Sequence, residues 1–392
     1  MRLHEYEAKD IFASYGIPTP KRGLAKTADE AVKKAKEIGL PVVIKSQVLV
    51  GGRGLAGGIK FAESIEEVKR GAEVVLHTPI KGYQPDGILI QEKLELEAEI
   101  YLGITIDGLA GCPIVMVSSE GGVAVEKTAA KSPEKIASIH TDVFIGLQSY
   151  QARKLAKALG LSGAESSQIA DILLKLYKVF EDYDALIAEI NPLAIINDGS
   201  IYAKSNARLR LSAIDAVLEI DDAALYKYSE FQEKALLRIA DELERESKKI
   251  GVSYVSLDGD IGLICSGAGL GMASIDMIKS QGEPANFLET GGGITQELMN
   301  KALRLVLKKP GVRAVFINLY GGINPIHEGA KGIAEVIRED NVTIPIVAKA
   351  YGNFQEETWA TLASAGVKVV KHTQTGKAVE ELFRIIEQGR DS

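Results

Sequence analysis

Ile261-Gly262-Leu263-Ile264-Cys265-Ser266-Gly267-Ala268-Gly269 decides how the second half of this chain folds. The first five residues read as a buried strand, the glycine turn ends it, and a helix-favouring run over about 270–280 follows. The pattern then recurs. A strand at 285–289 leads through Thr290-Gly291-Gly292-Gly293 into a helix at 295–308. A strand at 312–319 leads through Tyr320-Gly321-Gly322 into a helix near 327–339. Strands at 344–349 and 367–371 precede helices at 355–365 and 376–388. Strands that alternate with helices need crossover connections, so the expectation is a parallel, doubly wound sheet. Ligands of such sheets sit beyond the carboxyl ends of the strands, where the first three strands each meet a glycine-rich turn.

Working outward, the segment from Leu225 to Ile250 is charged and helix-favouring, and reads as the connection between two domains, 1–245 and 246–392. The first of these mixes helices and strands less regularly. Thr27-Ala28-Asp29-Glu30 and Ser64-Ile65-Glu66-Glu67 are capping boxes that start two helices, one ended by Gly39 and the other running to about His77. Strand-like runs occur at Ile88-Leu89-Ile90, at 101–106 and at 112–117, where Pro113 marks an edge or a strand start. Helices are expected at 149–159 and 164–182.

Two stretches of the first domain carry chemistry. After the apolar run Pro41-Val42-Val43-Ile44 comes Lys45, and then Gly51-Gly52-Arg53-Gly54-Leu55-Ala56-Gly57-Gly58, closed by Lys60. Glycines let successive backbone N–H groups turn toward an anion, and Lys45, Arg53 and Lys60 add full positive charge, a combination that suits a polyphosphate. A flexible surface hairpin is the alternative, and no G-x-x-x-x-G-K-[ST] loop is present. Further on, strand alternation puts Glu189 and Asn191 of Glu189-Ile190-Asn191-Pro192 on one face. Asn197-Asp198-Gly199-Ser200 is a hairpin signal. With a two-residue loop Asn191 faces Asn206, and with a three-residue loop it faces Ser205. Oxygen-bearing side chains converging on one face suit Mg²⁺, although an ordinary polar hairpin face would read the same way. Gln91-Glu92-Lys93-Leu94, followed by Glu99, could offer backbone to an adenine edge and a carboxylate to ribose hydroxyls.

Composition excludes several classes. The chain has 392 residues, 46% of them hydrophobic, enough for two or three cored domains. A net charge of −7 argues against a nucleic-acid surface. The N-terminus Met1-Arg2-Leu3-His4-Glu5-Tyr6 carries no cleavable apolar segment, and no membrane span is legible, so a soluble cytoplasmic protein is expected. Cys112 and Cys265 are too few for a disulfide framework or a zinc cluster.

Taken together, these motifs resemble the β subunit of succinate–CoA ligase over nearly the whole chain. The resemblance runs from Leu3-His4-Glu5-Tyr6-Glu7-Ala8-Lys9 through Gly51-Gly52-Arg53-Gly54, Ser119-Glu120-Gly121-Gly122-Val123 and Glu189-Ile190-Asn191-Pro192-Leu193. It ends with Gly282-Glu283-Pro284-Ala285-Asn286-Phe287-Leu288. It implies an α/β protein: an N-terminal ATP-grasp domain (α+β), then a flavodoxin-like doubly wound parallel-sheet ligase domain. The expected partner is an α subunit that binds CoA and carries a phosphorylated histidine, in a heterodimer or heterotetramer. By matching motif, Lys45, Gly52, Arg53 and Gly54 would hold the phosphates of ATP, or of GTP. Glu92, Leu94 and Glu99 would hold base and ribose, Asn191 and Asn206 would bind Mg²⁺, and Glu189 would steady the partner's histidine. Ser266 with the turn that follows would face the phosphohistidine, and Gly322, Ile323 and Asn324 would contact the carboxylate substrate.

The chain also departs from the family pattern. Ala203-Lys204-Ser205-Asn206-Ala207-Arg208 holds no carboxylate where the family carries an Asp metal ligand, and Ser266 replaces an Asn. In Gly321-Gly322-Ile323-Asn324-Pro325-Ile326-His327-Glu328 the family's arginine position is Pro325 and its Asp position is His327. The implied acid is succinate or a relative such as malate, citrate or sulfoacetate. His327 reads as a specificity residue or a neutral loop histidine rather than a phosphate carrier. Two other readings remain at this level. One is a nucleotide-binding paralogue without catalysis. The other is a nicotinamide-dependent dehydrogenase built on Gly267-Ala268-Gly269-Leu270-Gly271, which has G-x-G-x-G spacing and leaves the first domain unexplained.

Overall fold

The computed structural model describes residues 1–122, 135–196 and 209–388. Two compact units divide the chain, Met1–Ser229 and Glu230–Ser392.

The first unit opens with α1 (Glu5–Ser14), β1 (Arg22–Ala25), α2 (Ala28–Ile38), β2 (Val42–Ser46), β3 (Ile59–Ala62), α3 (Ile65–Leu76) and β4 (Ile88–Glu92). The strands form an antiparallel sheet in the order β1-β4-β2-β3. Both expected caps are made: Thr27 accepts from Glu30 N–H and Ser64 accepts from Glu67 N–H, each at 3.2 Å. Small residues on α2 and α3, among them Ala31, Ala35 and Ala72, let both helices lie close on Val42, Ile44, Ile88 and Ile90. Every residue of β2 is buried, so the strand delivers Lys45 to its end out of solvent.

A second sheet is built from β5 (Leu96–Asp107), β6 (Cys112–Ser118), β7 (Ile136–His140), β8 (Ala185–Ile196), β9 (Leu211–Ala213) and β10 (Ala216–Ile220). Its order is β10-β8-β5-β6-β7, with β9 also on β8. Between β7 and β8 come α4 (Ser149–Ala158) and α5 (Gly163–Asp182), the latter burying Ile169, Leu173, Leu176 and Phe180. Pro113 proves to mark a strand start rather than an edge, since β6 lies between β5 and β7.

The pairing of β8 corrects the hairpin register read from sequence. One edge of β8 is taken by β5, from Thr105↔Ile187 to Leu96↔Ile196. The other edge is taken by β9 and β10, with Leu193↔Ala213 and Ile190↔Ala216. Ile214 N–H donates to Pro192 C=O at 3.0 Å between them, so this register sets Asp215 opposite Asn191. The register of the described strands therefore sets position 215, rather than 206 or 205, across from Asn191. Asn206 and Ser205 lie outside the described residues.

Around the start of the second unit, α6 (Ser229–Leu237) and α7 (Glu242–Ile250) occupy the charged segment, separated by residues 238–241, of which Asp241 caps α7 by accepting from Leu243 and Glu244 N–H. Glu244 then accepts from Ser256 N–H at 3.0 Å, fastening α7 to β11 (Ser253–Ser256). There follow β12 (Ile261–Cys265), α8 (Ala268–Lys279), β13 (Asn286–Glu289), α9 (Gln296–Leu307), β14 (Ala314–Gly321) and α10 (Ile326–Glu339). The unit ends with β15 (Ile346–Gly352), α11 (Gln355–Ser364), β16 (Lys368–Val369) and α12 (Thr375–Gln388). The sheet order β11-β13-β12-β14-β15-β16 contains the expected five parallel strands in a doubly wound arrangement. β11, an antiparallel edge strand on β13, was not expected. Period-two alternation splits the core: Ile264, Val315 and Ile317 face one helical layer, while Leu263, Phe316 and Val347 face the other. Among the described residues no helix is long and apolar enough to cross a membrane.

Candidate functional site

Eight residues singled out from sequence line one cleft of about 580 Å³ in the first unit. Lys45, Gly52, Arg53 and Gly54 line it together with Glu92, Leu94, Glu99 and Asn191. The topology explains this convergence. β2 carries Lys45 as its penultimate residue and the glycine loop turns back into β3, while β4 ends at Glu92 and passes through Leu94 into β5, which carries Glu99. Gly52 adopts φ +80°, a backbone state that a side chain would strain. Lys60, the third cation of the loop, is exposed on β3 across from Ile44.

Asn191 is held tightly. Its Oδ1 accepts from Gly122 N–H at 2.6 Å and its Nδ2 donates to Gly122 C=O at 3.3 Å. A Cβ at Gly122 would lie 2.9 Å from Glu99 Oε2, so the absence of a side chain lets Glu99 approach this strand end. Glu189 shares the half-buried face of Asn191, as alternation requires. Its carboxylate meets the Tyr101 hydroxyl. Burial, and then that carboxylate, raise the Tyr101 phenol above its ordinary range.

Sequence reading gave no role to Glu5, Lys9 or Asp215, which organise the charge of the cleft. Glu5 Oε1 accepts from Lys9 Nζ at 2.6 Å and Lys45 Nζ at 2.8 Å, and Oε2 accepts from Arg53 Nη1 at 2.7 Å. Arg53 Nη2 donates to both oxygens of Asp215, at 2.7 and 2.8 Å. Lys9 and Lys45 also both donate to Ile214 C=O, at 2.6 and 2.7 Å, and Lys9 reaches Gln91 Oε1. Burial would raise the Glu5 carboxyl, but Lys45, Lys9 and Arg53 outweigh it and hold it well below the usual carboxylate range. Burial pulls the Lys9 ammonium down to about 7, against the pull of Glu5. Burial works against Arg53 as well, yet Asp215 and Glu5 leave its charged form further stabilised. The signals in the sequence are a Glu and a Lys four apart in the first helix and an Asp between the apolar residues Ile214 and Ala216. Nothing local distinguished them from solvated pairs.

Hard oxygen donors that share a cleft with phosphate-type cations suit Mg²⁺, which takes few protein ligands. Asn191 and Asp215 both line the cleft, opposite each other in register, and supply an amide and a carboxylate oxygen. Among the described residues no cluster of three or more His, Cys, Asp or Glu side chains could hold a metal alone.

In the second unit, Ser266 follows β12 and Gly322, Ile323 and Asn324 follow β14, all at the carboxyl edge of the sheet. The Ser266 hydroxyl is fully engaged: it accepts from Tyr320 N–H at 2.8 Å and donates to Tyr320 C=O at 3.2 Å. The turn after it is occupied by the chain's own anion, because Glu289 Oε1 accepts from Gly267 N–H at 3.0 Å and from Gly291 N–H at 2.6 Å. Gly322 C=O accepts from Asn353 Nδ2 at 2.5 Å, and Ile323 is almost completely exposed. His327, in the first turn of α10, packs its ring on Phe354 with centroids 4.6 Å apart. Its Nδ1 is buried without a hydrogen-bond partner, and its Nε2 is 3.4 Å from Glu328.

Comparison with known proteins gives a consistent picture. Residues 2–195 match the ATP-grasp domain family and residues 264–382 the CoA-ligase family. The second match takes in the Gly267–Gly271 turn and so removes the dehydrogenase reading. The chain is 40% identical over 388 residues to a Roseiflexus sp. (strain RS-1) protein named succinate–CoA ligase [ADP-forming] subunit beta, covering 96% of this chain and all of that one. Proteins of the same name from Methanothermobacter thermautotrophicus and Geobacillus kaustophilus are 39% and 38% identical, each covering 98% of this chain and 99% and 100% of theirs. Among solved structures, ATP citrate lyase from Methanothrix soehngenii in complex with citrate and coenzyme A shares the fold. It aligns with TM-score 0.75 at 19% identity, covering 98% of this chain and 99% of that one.

Proposed function

We propose, starting from the fact that this chain belongs to the succinate–CoA ligase β-subunit family, that it is the nucleotide-binding subunit of an ADP-forming acid–CoA ligase. The observation that carries this is the gathering of Lys45, Gly52–Gly54, Glu92, Leu94, Glu99 and Asn191 in one cleft with the right chemistry at each end. Lys45 Nζ, the Arg53 guanidinium and the loop N–H groups hold the triphosphate of ATP or of GTP. Leu94 and its neighbours offer backbone to the base, and Glu92 and Glu99 offer carboxylates to the ribose. Asn191, with Asp215 across the strand, would hold Mg²⁺, which when bound offsets charge on the phosphates.

The reaction requires an α subunit as partner, in an αβ or (αβ)₂ assembly. A histidine of that subunit attacks the γ-phosphorus: a P–N bond forms, the bond to the ADP oxygen breaks, and ADP leaves. Glu189, hydrogen-bonded to Tyr101, accepts from the imidazole and keeps the attacking nitrogen oriented. The phosphoryl group then passes to the acid carboxylate, and CoA, bound mainly by the partner, displaces phosphate to give the acyl-CoA. Gly322, Ile323 and Asn324 bind the carboxylate that reacts.

The acid itself differs from succinate at its distal group. Pro325 offers no charge where the family carries an arginine. His327 against Phe354 supplies an imidazole instead. Hydroxylated or sulfonated acids suit such a wall. The test is co-expression with the matched α subunit and an assay of ADP and acyl-CoA formation over succinate, malate, citrate and sulfoacetate. Acyl-CoA formation by the pair but not by either chain alone supports the reading. Turnover by this chain without a partner overturns it.

A further inference from the structure

We propose that Glu5 is a positioning residue of the nucleotide site, aiming Lys45 and Arg53 through the two oxygens of one buried carboxylate. This rests on the nucleotide reading of the cleft.

Lys45 and Arg53 arrive from different segments, the end of β2 and the glycine loop, and their charges repel. A site that needs both side by side needs an anion behind them. Glu5 supplies it: its side chain is 1% exposed, Oε1 accepts from Lys45 at 2.8 Å and Oε2 from Arg53 at 2.7 Å. Glu5 does not line the cleft, whereas both cations do, so it acts through them. Its own direction is fixed one turn along α1 by Lys9, which is fully buried and anchored to Gln91 and Ile214 C=O. The first helix thereby ties together the ends of β2 and β4 and the β9–β10 connection. Asp215 grips the outer edge of the same guanidinium.

With Lys9 protonated, three cations, Lys9, Lys45 and Arg53, against two carboxylates, Glu5 and Asp215, leave the cluster at a net charge of +1. Removing Glu5 alone would change both charge and geometry. Glu5→Gln combined with Lys9→Met keeps +1 and replaces a buried ion pair by neutral side chains of similar length, an exchange that folded proteins tolerate. Glu5→Asp keeps the charge and shortens the arm, so that one carboxylate no longer spans both cations.

The full-length chain and these two variants are titrated calorimetrically with Mg-ATP and, separately, with adenosine. The expected result is ATP affinity lower by about tenfold or more in both variants, as for lost hydrogen bonds between charged groups, with adenosine affinity unchanged. An equal loss for ATP and adenosine would assign Glu5 to the fold rather than to the phosphates, and overturn the proposal. Unchanged or tighter ATP binding in either folded variant would overturn it too. A wild-type chain that binds neither ligand would instead defeat the nucleotide reading, an outcome distinct from variants that match a wild type which binds both.

Discussion

The guanidinium of Arg53 and the carboxylate of Asp215 meet through two hydrogen bonds, Nη2 to Oδ1 at 2.7 Å and Nη2 to Oδ2 at 2.8 Å. One residue belongs to the glycine loop and the other to the segment facing Asn191 across β8. The contact therefore joins the glycine loop to the Asn191 side of the cleft, and several measurable consequences depend on it.

Lys45→Ala and Arg53→Ala each weaken nucleotide binding about 10- to 100-fold, the range expected when a charged hydrogen bond of roughly 1.5–3 kcal/mol is lost. Calorimetric titration with ATP reads this directly. Wild-type affinity in both variants would remove the loop from the site.

Asp215→Asn raises the Mg²⁺ concentration needed for tight ATP binding by about tenfold, while ATP binding in EDTA holds or improves because Arg53 is released. Mn²⁺ bound per ATP, followed by electron paramagnetic resonance, gives a second readout. A flat Mg²⁺ dependence in Asp215→Asn, together with a changed one in Asn206→Asp, would return the carboxylate position to the segment outside the described residues.

Pro325→Arg with His327→Asp moves acid preference toward succinate. The new guanidinium can fork onto a distal carboxylate, and the imidazole packed on Phe354 is gone. The ratio of kcat/KM for succinate to that for the best native acid should rise. If succinate already has the highest kcat/KM in wild type and the double variant matches it, the segment does not set specificity.

Lys9 gives a pH signature in stability. Its pKa falls from 10.5 to about 7 on folding, so between those values the unfolded chain binds more protons and stability rises with pH. Below about pH 7 both states are protonated and the contribution is at its least favourable. Denaturant titrations from pH 6.5 to 9.5 should show a rise in wild type that is missing in Lys9→Met. Parallel profiles would refute the assignment.

Gly332→Ala destabilises the second unit by about 1–3 kcal/mol. A Cβ there would stand 2.0 Å from the carbonyl oxygen of Gln296, where α10 crosses the start of α9. A lower denaturation midpoint at constant slope is the expected result. An unchanged midpoint would mean that the helices separate at no cost.

The doubly wound sheet was legible because its signals are local. Ile261–Cys265 followed by a glycine turn needs only nearest neighbours to read as strand, turn and helix, and the alternation repeats down the half-chain. Capping by Thr27 and Ser64 was legible for the same reason, since each hydroxyl serves a backbone group three residues on. β11 escaped notice because a four-residue edge strand exists only through its partner β13.

By itself, the sequence determined which residue types could meet a polyphosphate, and that Glu189 and Asn191 share a face. Tertiary structure alone decided what stands opposite them. Which strand pairs with β8 depends on contacts between residues far apart in the chain, so a plausible turn at 197–200 could not reveal that Asp215 is the cross-strand neighbour of Asn191. Likewise, Glu5 and Lys9 have the spacing of any surface helix pair. Only packing, which removes them from water and sets Lys45 and Arg53 against the same carboxylate, makes them part of the site.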